Sequence, residues 1–191
     1  MENLTPLCEL GFKHRTDKCP QLFHTYTPFY YNLLKERKDS IKKVLELGIG
    51  TLTTMKHIDD YNPGASHMMW RDFFPNAQIY GADIDPNVIF QEDRITTFLV
   101  DTTKEEDLKE LIKKTGSDID LVIDDGPHNA LYQMQTARTL MPLLDKNVTY
   151  IIEDVRSTRY IRDRMKEYNV EIIRLERSVS KDNNLVIIRH K

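Results

Sequence analysis

Short apolar runs alternate with longer amphipathic stretches along most of the chain. The apolar runs are rich in β-branched residues and are bounded by glycine, turn or acidic residues, as expected of buried strands. They cover residues 44–47, 78–83, 95–100, 119–123 and 148–152. The amphipathic stretches have helical spacing and cover residues 65–74, 104–114, 130–144 and 157–168. Repeated strand–helix–strand units predict a parallel sheet with helices on both faces.

The carboxyl-terminal pattern differs, because two strand-like runs follow each other without a helix between them. These runs cover residues 171–177 and 185–189, and the turn-rich segment 178–184 joins them. A connection of this kind permits an antiparallel pair at the sheet edge. The sequence thus predicts an α/β protein with a Rossmann-like, mostly parallel seven-stranded sheet that ends in an antiparallel hairpin. This arrangement resembles the class I methyltransferase sheet more than a plain dinucleotide-binding fold.

The 191 residues correspond to about one ordinary domain, and no repeat, low-complexity tract or linker divides them. We expect a single domain over residues 1–191, with its core in residues 41–191. Residues 1–40 precede the first core strand and form a helical segment in this prediction; the family resemblance described below implies that it helps to close the substrate site. Its helix, over residues 26–38, is expected to pack across the sheet or against a partner subunit.

Composition and charge exclude several classes of protein. The chain has 27 basic and 30 acidic residues and a net charge of −3, so nucleic acid is disfavoured as a partner. Its apolar runs are far shorter than the roughly 20 residues that a membrane span needs. Residues 1–10 contain two glutamates and no basic residue, unlike a secretory signal. We therefore expect a cytoplasmic protein that has no membrane association.

The two cysteines lie near two histidines in the amino-terminal segment. Cys8, His14, Cys19 and His24 are spaced by four to six residues. A zinc site usually contains a tighter pair such as C-x2-C, so this spacing favours two free, partly buried thiols over a metal site.

The first predicted strand ends in a sequence typical of a ligand-binding turn. Glu46, Gly48 and Gly50 lie at its carboxyl end, where glycines allow the backbone to approach a ligand closely. Thr53 stands where a nicotinamide-binding motif would have its third glycine, which favours a cofactor without pyrophosphate. A lone G-x-G motif is weak evidence for a cofactor site, because a tight turn with a purely structural role is about as common.

Three aspartates follow the second and third predicted strands. A carboxylate at the position of Asp83 can accept hydrogen bonds from ribose hydroxyls, whereas Asp85 precedes Pro86 and suits a helix cap. We assign Asp83 to the cofactor ribose and Asp85 to capping. Asp101 is a candidate acceptor for an adenine amino group, although capping or a solvated surface position is the commoner role of such a residue.

Two acidic pairs end successive strands of the predicted sheet. The first pair ends in Asp125, and the second pair consists of Glu153 and Asp154. Close carboxylates repel one another unless protons or a cation neutralise them, and oxygen ligands suit Mg²⁺. A divalent ion is therefore favoured here over two unrelated capping pairs. His128, three residues after Asp125, is a candidate general base.

These motifs together resemble the metal-dependent sugar O-methyltransferases of the macrocin and mycinamicin type, to which cephalosporin hydroxylase family proteins are related. The matching blocks occur in the same order and cover most of residues 14–156. They are residues 16–18, 24–30, 45–50, 64–66, 69–77, 80–85, 123–128 and 152–154. Ser66 lies in one of these blocks and is assigned with them to the cofactor site.

The resemblance implies S-adenosylmethionine as cofactor and a Mg²⁺ ion that positions two vicinal substrate oxygens. It implies Asp125, Glu153 and Asp154 as metal ligands and His128 as the base. Asp17 and Tyr26 lie in blocks that help to close the cofactor and substrate sites in this family. The implied fold is that of the class I methyltransferases.

The favoured function is therefore S-adenosylmethionine- and Mg²⁺-dependent O-methylation of a sugar hydroxyl. The acceptor is a glycan, a nucleotide sugar or another glycosylated small molecule, and the sequence does not choose between them. An RNA ribose 2′-O-methyltransferase and a non-catalytic cofactor-binding subunit are the alternatives. The family resemblance is compatible with a homo-oligomer.

Overall fold

The computed structural model describes residues 4–175 and 183–191, which form one mixed sheet with helices on both sides. Its α-helices are α1 (Pro6–His14), α2 (Tyr26–Leu34), α3 (Ala65–Phe73), α4 (Glu105–Thr115), α5 (Ala130–Leu140) and α6 (Thr158–Arg164). Its strands are β1 (Lys43–Leu47), β2 (Gln78–Asp83), β3 (Gln91–Glu92), β4 (Ile95–Leu99), β5 (Leu121–Asp124), β6 (Thr149–Ile152), β7 (Asn169–Arg174) and β8 (Asn184–Arg189). Two short 3-10 helices cover Pro86–Val88 and Met141–Leu143.

The strand order in this sheet is β3-β4-β2-β1-β5-β6-β8-β7. The five strands from β4 to β6 in this order are parallel, and β8 runs antiparallel to both β6 and β7. The predicted parallel sheet and carboxyl-terminal hairpin are therefore confirmed. The predicted count of seven strands omitted β3, which is a pair of exposed polar residues with no apolar pattern.

The order of the strands places a ligand crevice beside β1. The chain leaves β1 toward β2 and β4 on one side and later returns to β5 on the other. Such a reversal opens a crevice at the carboxyl ends of parallel strands. The residues that follow β1, β2, β4 and β5 therefore lie around one depression.

Both faces of the sheet are covered, as the alternation along β1 illustrates. Leu45 and Leu47 pack into an apolar cluster formed with α4, α5 and α6. Val44 packs into the cluster on the opposite face, which includes residues of α1, α2 and α3. Glu46 has the same parity as Val44, so its carboxylate points toward the second face, where it is fully buried.

The amino-terminal helices lie on the same face as α3. Helix α2 packs against the sheet in the second cluster, in agreement with the first of the two predicted placements. It ends at Leu34 rather than residue 38. Helix α1 was not predicted from the apolar pattern. Its start is specified by Thr5, whose hydroxyl accepts a hydrogen bond from Cys8 N, and by Pro6 in the first turn.

Some predicted helices are longer than those in the structure. The stretch 130–144 continues past α5 as a 3-10 turn because Pro142 cannot continue an α-helix. The helix predicted over residues 157–168 is limited to α6. The end of the predicted strand 171–177 and most of the connection 178–184 fall within residues 176–182, outside the described residues. No helix in the described part of the chain is long and apolar enough to cross a membrane.

The two cysteines form no disulfide, and both are fully buried rather than partly buried as predicted. Thr27 donates a hydrogen bond from Oγ1 to Cys8 Sγ over 3.2 Å. Burial raises the pKa of Cys19 to about 11, so this thiol stays protonated at neutral pH. His14 Nε2 lies 2.8 Å from Asp72 Oδ2, in an ion pair at the protein surface.

Candidate active site

A cavity of about 590 Å³ opens at the carboxyl ends of the central strands. The structure brings eight of the predicted site residues onto its wall: Asp17, Gly48, Gly50, Ser66, Asp83, Asp101, Asp125 and His128. The remaining four predicted residues, Glu46, Tyr26, Glu153 and Asp154, are not among the lining residues. The cavity is large enough for a nucleoside cofactor.

The two glycines after β1 are required by the backbone conformation and by their neighbours. Gly48 has φ 96°, and a Cβ atom there would lie 2.2 Å from the carbonyl oxygen of Asp125. Gly50 has φ 82°, and its Cβ would lie 2.3 Å from the hydroxyl of Tyr61. Both residues also line the cavity. The G-x-G motif is thus a tight turn and part of the cavity wall at once.

Asp83 joins the turn after β1 to the end of β2. Its Oδ2 accepts a hydrogen bond from Ile49 N over 2.8 Å, and its Oδ1 accepts one from Asp85 N over 2.9 Å. Each carboxylate oxygen retains a second lone pair, and Asp83 lines the cavity. Asp85 caps the following 3-10 helix through a bond from Asn87 N, as predicted.

Asp101 combines a local turn bond with a position on the cavity wall. Its Oδ1 accepts hydrogen bonds from Thr103 N over 3.0 Å and from Thr103 Oγ1 over 2.6 Å. The hydroxyl bond from Thr103 is the main cause that lowers the pKa of Asp101. Both roles weighed for this residue are therefore compatible with its geometry.

Glu46 lies beneath the cavity floor. Its Oε2 accepts a hydrogen bond from Ser66 Oγ over 2.9 Å, and Ser66 itself lines the cavity. His67 Nδ1 lies 3.4 Å from the same oxygen. The carboxylate thus supports the cavity from behind, through Ser66.

A buried lysine joins three of the acidic side chains at the strand ends. Lys18 Nζ lies 2.7 Å from Asp125 Oδ2 and 3.2 Å from Glu46 Oε1, and it also donates a hydrogen bond to Glu153 Oε2. Only 1% of Lys18 is exposed. The contacted residues belong to or directly follow β1, β5 and β6, which are neighbours in the sheet. Sequence reasoning did not identify Lys18, although it lies in the Thr-Asp-Lys block.

The charged groups in this cluster shift one another's pKa values. Burial alone would lower the pKa of Lys18, but the carboxylates of Asp125, Glu153 and Glu46 raise it well above its ordinary value. Burial also favours the neutral form of Asp125, and the Lys18 ammonium outweighs it and lowers the pKa of Asp125. The ion pair therefore favours the charged form of Lys18 and the ionised form of Asp125.

Helix α2 contributes two tyrosines to the same cluster. Tyr26 and Tyr30 are four residues apart and therefore lie on one face of the helix. Tyr26 donates a hydrogen bond to Asp154 Oδ1 and Tyr30 donates one to Glu153 Oε1, both over 2.6 Å. The carbonyl of Lys18 accepts bonds from the first two N–H groups of this helix. The lysine and the helix thus form one unit above the acidic strand ends.

Asp154 has a second neighbour in the amino-terminal segment. His24 Nε2 lies 3.4 Å from Asp154 Oδ1, and the His24 ring stacks on that of Tyr26. Asp154 has φ 52°, a conformation that few residues other than glycine adopt. Burial raises the pKa of Asp154. His24 and Tyr26 thus fix one of its two carboxylate oxygens.

The other oxygen of Asp154 faces His128. His128 Nε2 lies 3.3 Å from Asp154 Oδ2 and 3.3 Å from Asp125 Oδ1. Ligand atoms of these three residues lie within 4.8 Å of one another, as a metal-binding group requires. The side chain of His128 is 44% exposed, so the group is open on the cavity side.

The donor chemistry of this group fits a hard divalent ion. Two carboxylate oxygens, from Asp125 and Asp154, and an open side for water or substrate oxygens match what Mg²⁺ requires. Of the three metal ligands implied by the resemblance, these two lie together. Glu153 is fully buried with its oxygens bonded to Lys18 and Tyr30, and its assignment as a ligand stays a prediction.

Comparison with known proteins identifies similar sugar methyltransferases, although no family model matches the chain. It is 36% identical over 152 residues to the 8-demethyl-8-(2-methoxy-α-L-rhamnosyl)-tetracenomycin-C 3′-O-methyltransferase of Streptomyces olivaceus, which covers 78% of this chain and 36% of the relative. It is 34% identical over 149 residues to the mycinamicin VI 2″-O-methyltransferase of Micromonospora griseorubida, with the same two coverages. The chain thus spans just over a third of the length of the curated relatives it matches.

Solved structures give the same picture for the fold. The MycE methyltransferase of the mycinamycin biosynthetic pathway, in complex with Mg and SAH, superimposes with a TM-score of 0.74 at 25% identity and covers 97% of this chain and 54% of its own. A Podospora anserina methyltransferase bound to SAH, at 14% identity and a TM-score of 0.61, matches in fold alone, over 98% of this chain and 89% of its own. The chain therefore has the class I methyltransferase fold and belongs to the family of sugar O-methyltransferases of the macrocin and mycinamicin type, as its motifs predicted.

Proposed function

We propose that this chain is an S-adenosylmethionine- and Mg²⁺-dependent O-methyltransferase that acts on a hydroxyl of a sugar or glycosylated small molecule. One observation carries the proposal. His128 and an oxygen from each of Asp125 and Asp154 converge at the wall of a cavity that is also lined by Gly48 and Asp83. A candidate base, a candidate ion site and a candidate nucleoside site thus share one space.

The cofactor site rests on the turn after β1 and on two aspartates. The backbone at Gly48 and Gly50 allows a ligand to approach without side-chain obstruction. Asp83 retains lone pairs for the ribose hydroxyls, and Asp101 is the candidate acceptor for the adenine amino group. When bound, S-adenosylmethionine supplies a methyl group already activated by the positive sulfonium.

Asp125 and Asp154 would hold the Mg²⁺ ion. When bound, the ion lowers the pKa of a coordinated substrate hydroxyl and fixes two neighbouring oxygens. His128 Nε2 accepts the hydroxyl proton. The carboxylates of Asp125 and Asp154, each 3.3 Å from this nitrogen, then stabilise the imidazolium that forms.

The alternatives receive less support from the same residues. Charged groups on the cavity wall are mostly acidic, with five aspartates against Lys18 and His128. A ribose methyltransferase has to accommodate a polyanionic strand, which such a lining disfavours. A non-catalytic subunit has no need for the Asp125–His128–Asp154 group.

The test is transfer of a labelled methyl group to a panel of acceptors. The panel contains rhamnosylated aromatic polyketides, macrolide glycosides, nucleotide sugars and a capped RNA, each with and without EDTA. We expect methylation of a sugar hydroxyl that stops in EDTA and returns with excess Mg²⁺. Methylation of the RNA alone, full activity in EDTA, or cofactor binding with no turnover on any acceptor would contradict the proposal.

A further inference from the structure

Among the residues that the structure describes, Asp17 has the one carboxylate on the cavity wall that accepts no hydrogen bond from the chain. The other wall aspartates do accept such bonds, namely Asp83, Asp85, Asp101 and Asp125. His24 Nε2 lies 3.9 Å from Asp17 Oδ2, which is beyond hydrogen-bond distance. The Asp17 carboxylate therefore keeps its acceptor sites available to a ligand in the cavity.

Asp17 is also buried, since only 9% of the residue is exposed. Burial raises the pKa of Asp17, because the ionised carboxylate loses water and gains no hydrogen bond in return. A positively charged ligand group that donates hydrogen bonds would compensate for this loss. The position therefore favours a cationic group of a ligand over a neutral one.

The backbone on both sides of Asp17 is fixed. The carbonyl of Asp17 accepts a hydrogen bond from His24 N over 2.7 Å, and Thr16 N donates one to Gly11 O over 3.1 Å. The next residue, Lys18, is held by its ammonium, which donates a hydrogen bond to Asp125 Oδ2 over 2.7 Å. The carboxylate is thus placed before any ligand binds, which lowers the entropic cost of binding.

The charged neighbours of Asp17 lie on one side of the cavity. The carboxylate interacts electrostatically with Asp125 and Asp154, which follow β5 and β6. The residues proposed for the adenosine half of the cofactor, Asp83 and Asp101, lie at or beyond the ends of β2 and β4, on the other side of β1. A cofactor whose adenosine half rests there would extend its methionine half across the β1 turn toward Asp17.

The methionine half of the cofactor carries two positive groups. The sulfonium has no hydrogen-bond donor, whereas the α-ammonium has three N–H donors, as a lysine side chain has. We propose that Asp17 binds the α-ammonium of S-adenosylmethionine. This inference rests on the cofactor of the proposed function and names the group that Asp17 holds. Contacts of Asp83 and Asp17 with the two ends of the cofactor would then restrict the sulfonium between them.

Calorimetric titration with two ligands, in EDTA and without acceptor, tests this role. The ligands are S-adenosylhomocysteine and its desamino analogue, which lacks the α-ammonium and keeps the carboxylate. The wild-type chain should bind S-adenosylhomocysteine at least about tenfold more tightly, as expected for a charge-assisted hydrogen bond. In Asp17→Asn the affinity for S-adenosylhomocysteine should fall by at least about tenfold, and the affinity for the desamino analogue should not fall.

Asp101→Asn is the matched control, because it makes the same chemical change on the same wall. Both ligands contain the adenine that Asp101 is proposed to contact, so this variant should change both affinities by the same factor. Circular dichroism melting checks that the variants are folded. Asp17→Ser removes the same charge and replaces Asp17→Asn in the titrations if the latter does not fold.

Two results would overturn the role of Asp17. They are equal affinities of the wild-type chain for the two ligands, and equal losses for the two ligands in a folded Asp17 variant. A chain that binds S-adenosylhomocysteine but gives either result would leave the proposed function standing. A chain that shows the expected pattern but methylates no sugar would refute the proposed function and leave the role of Asp17 standing.

Discussion

Gly48→Ala is the substitution that most directly perturbs the cofactor cavity. Gly48 has φ 96°, and left-handed backbone costs a residue with a Cβ about 1–2 kcal/mol. The added Cβ would also lie 2.2 Å from Asp125 O and 2.9 Å from Asp125 C, which are backbone atoms. The turn after β1 must therefore separate from the Asp125 loop by about an ångström. Because both segments line the cavity, we expect at least a hundredfold loss of S-adenosylhomocysteine affinity, or about 2.7 kcal/mol.

Gly126→Ala is the matched control, since it adds the same methyl group to the same cavity. A Cβ at Gly126 would lie 3.3 Å from Asp124 Oδ1 and 3.6 Å from Thr102 Oγ1, which are side-chain atoms that can adjust. Isothermal titration calorimetry of both variants should show a large loss in Gly48→Ala and at most a few-fold loss in Gly126→Ala. Similar affinities in the two variants would refute this reasoning.

Three further predictions concern the cluster and its surroundings. His128→Ala should retain cofactor affinity and slow turnover by roughly 10²–10⁴-fold. Replacing the exposed His57 by Ala should change neither cofactor affinity nor turnover. Steady-state kinetics and cofactor titration of both variants check this. Tyr30→Phe loses the hydrogen bond from the Tyr30 hydroxyl to Glu153 and should lower the free energy of unfolding by about 1.5–3 kcal/mol. Urea denaturation measures this change, and an unchanged free energy of unfolding would contradict a stabilising role of the hydrogen bond. Burial raises the pKa of Asp124 to about 6, so the folded state binds its proton more tightly, and the resulting stabilisation is lost as the pH rises from about 4 to about 6. Asp124→Asn should therefore gain stability relative to wild type between pH 4 and 7, by about 2–3 kcal/mol, and a difference independent of pH would contradict it.

The strand ends could be predicted from the sequence because each lies next to an apolar run. Asp83, Asp125 and Asp154 follow such runs, and parallel strands bring their carboxyl ends to one edge of the sheet. The neighbouring sequence does not indicate which side chains form hydrogen bonds with each carboxylate. Lys18 reaches Glu153 across 135 positions of the sequence, and Tyr26 reaches Asp154 across 128. Only the packing of α2 on the sheet determines these contacts.

The same limit explains why a divalent ion was expected at the strand ends whereas the buried Lys18 was not. Repulsion between the carboxylates at the strand ends predicted a neutralising charge, and a divalent ion was the candidate that sequence reasoning could name. The chain itself supplies part of that charge through Lys18, which is 1% exposed. A buried lysine has no apolar periodicity of its own, so its position was not predictable from the pattern.

The measurement that tests the central claim most directly is methyl transfer from labelled S-adenosylmethionine to a glycosylated acceptor during removal and return of Mg²⁺. The account predicts a product labelled on a sugar oxygen, loss of activity in EDTA, and recovery when Mg²⁺ is in excess. The wild-type chain and His128→Ala should bind S-adenosylhomocysteine equally well, and only the wild type should turn over at the full rate. Transfer that continues unchanged in EDTA, or an intact rate in His128→Ala, would contradict it.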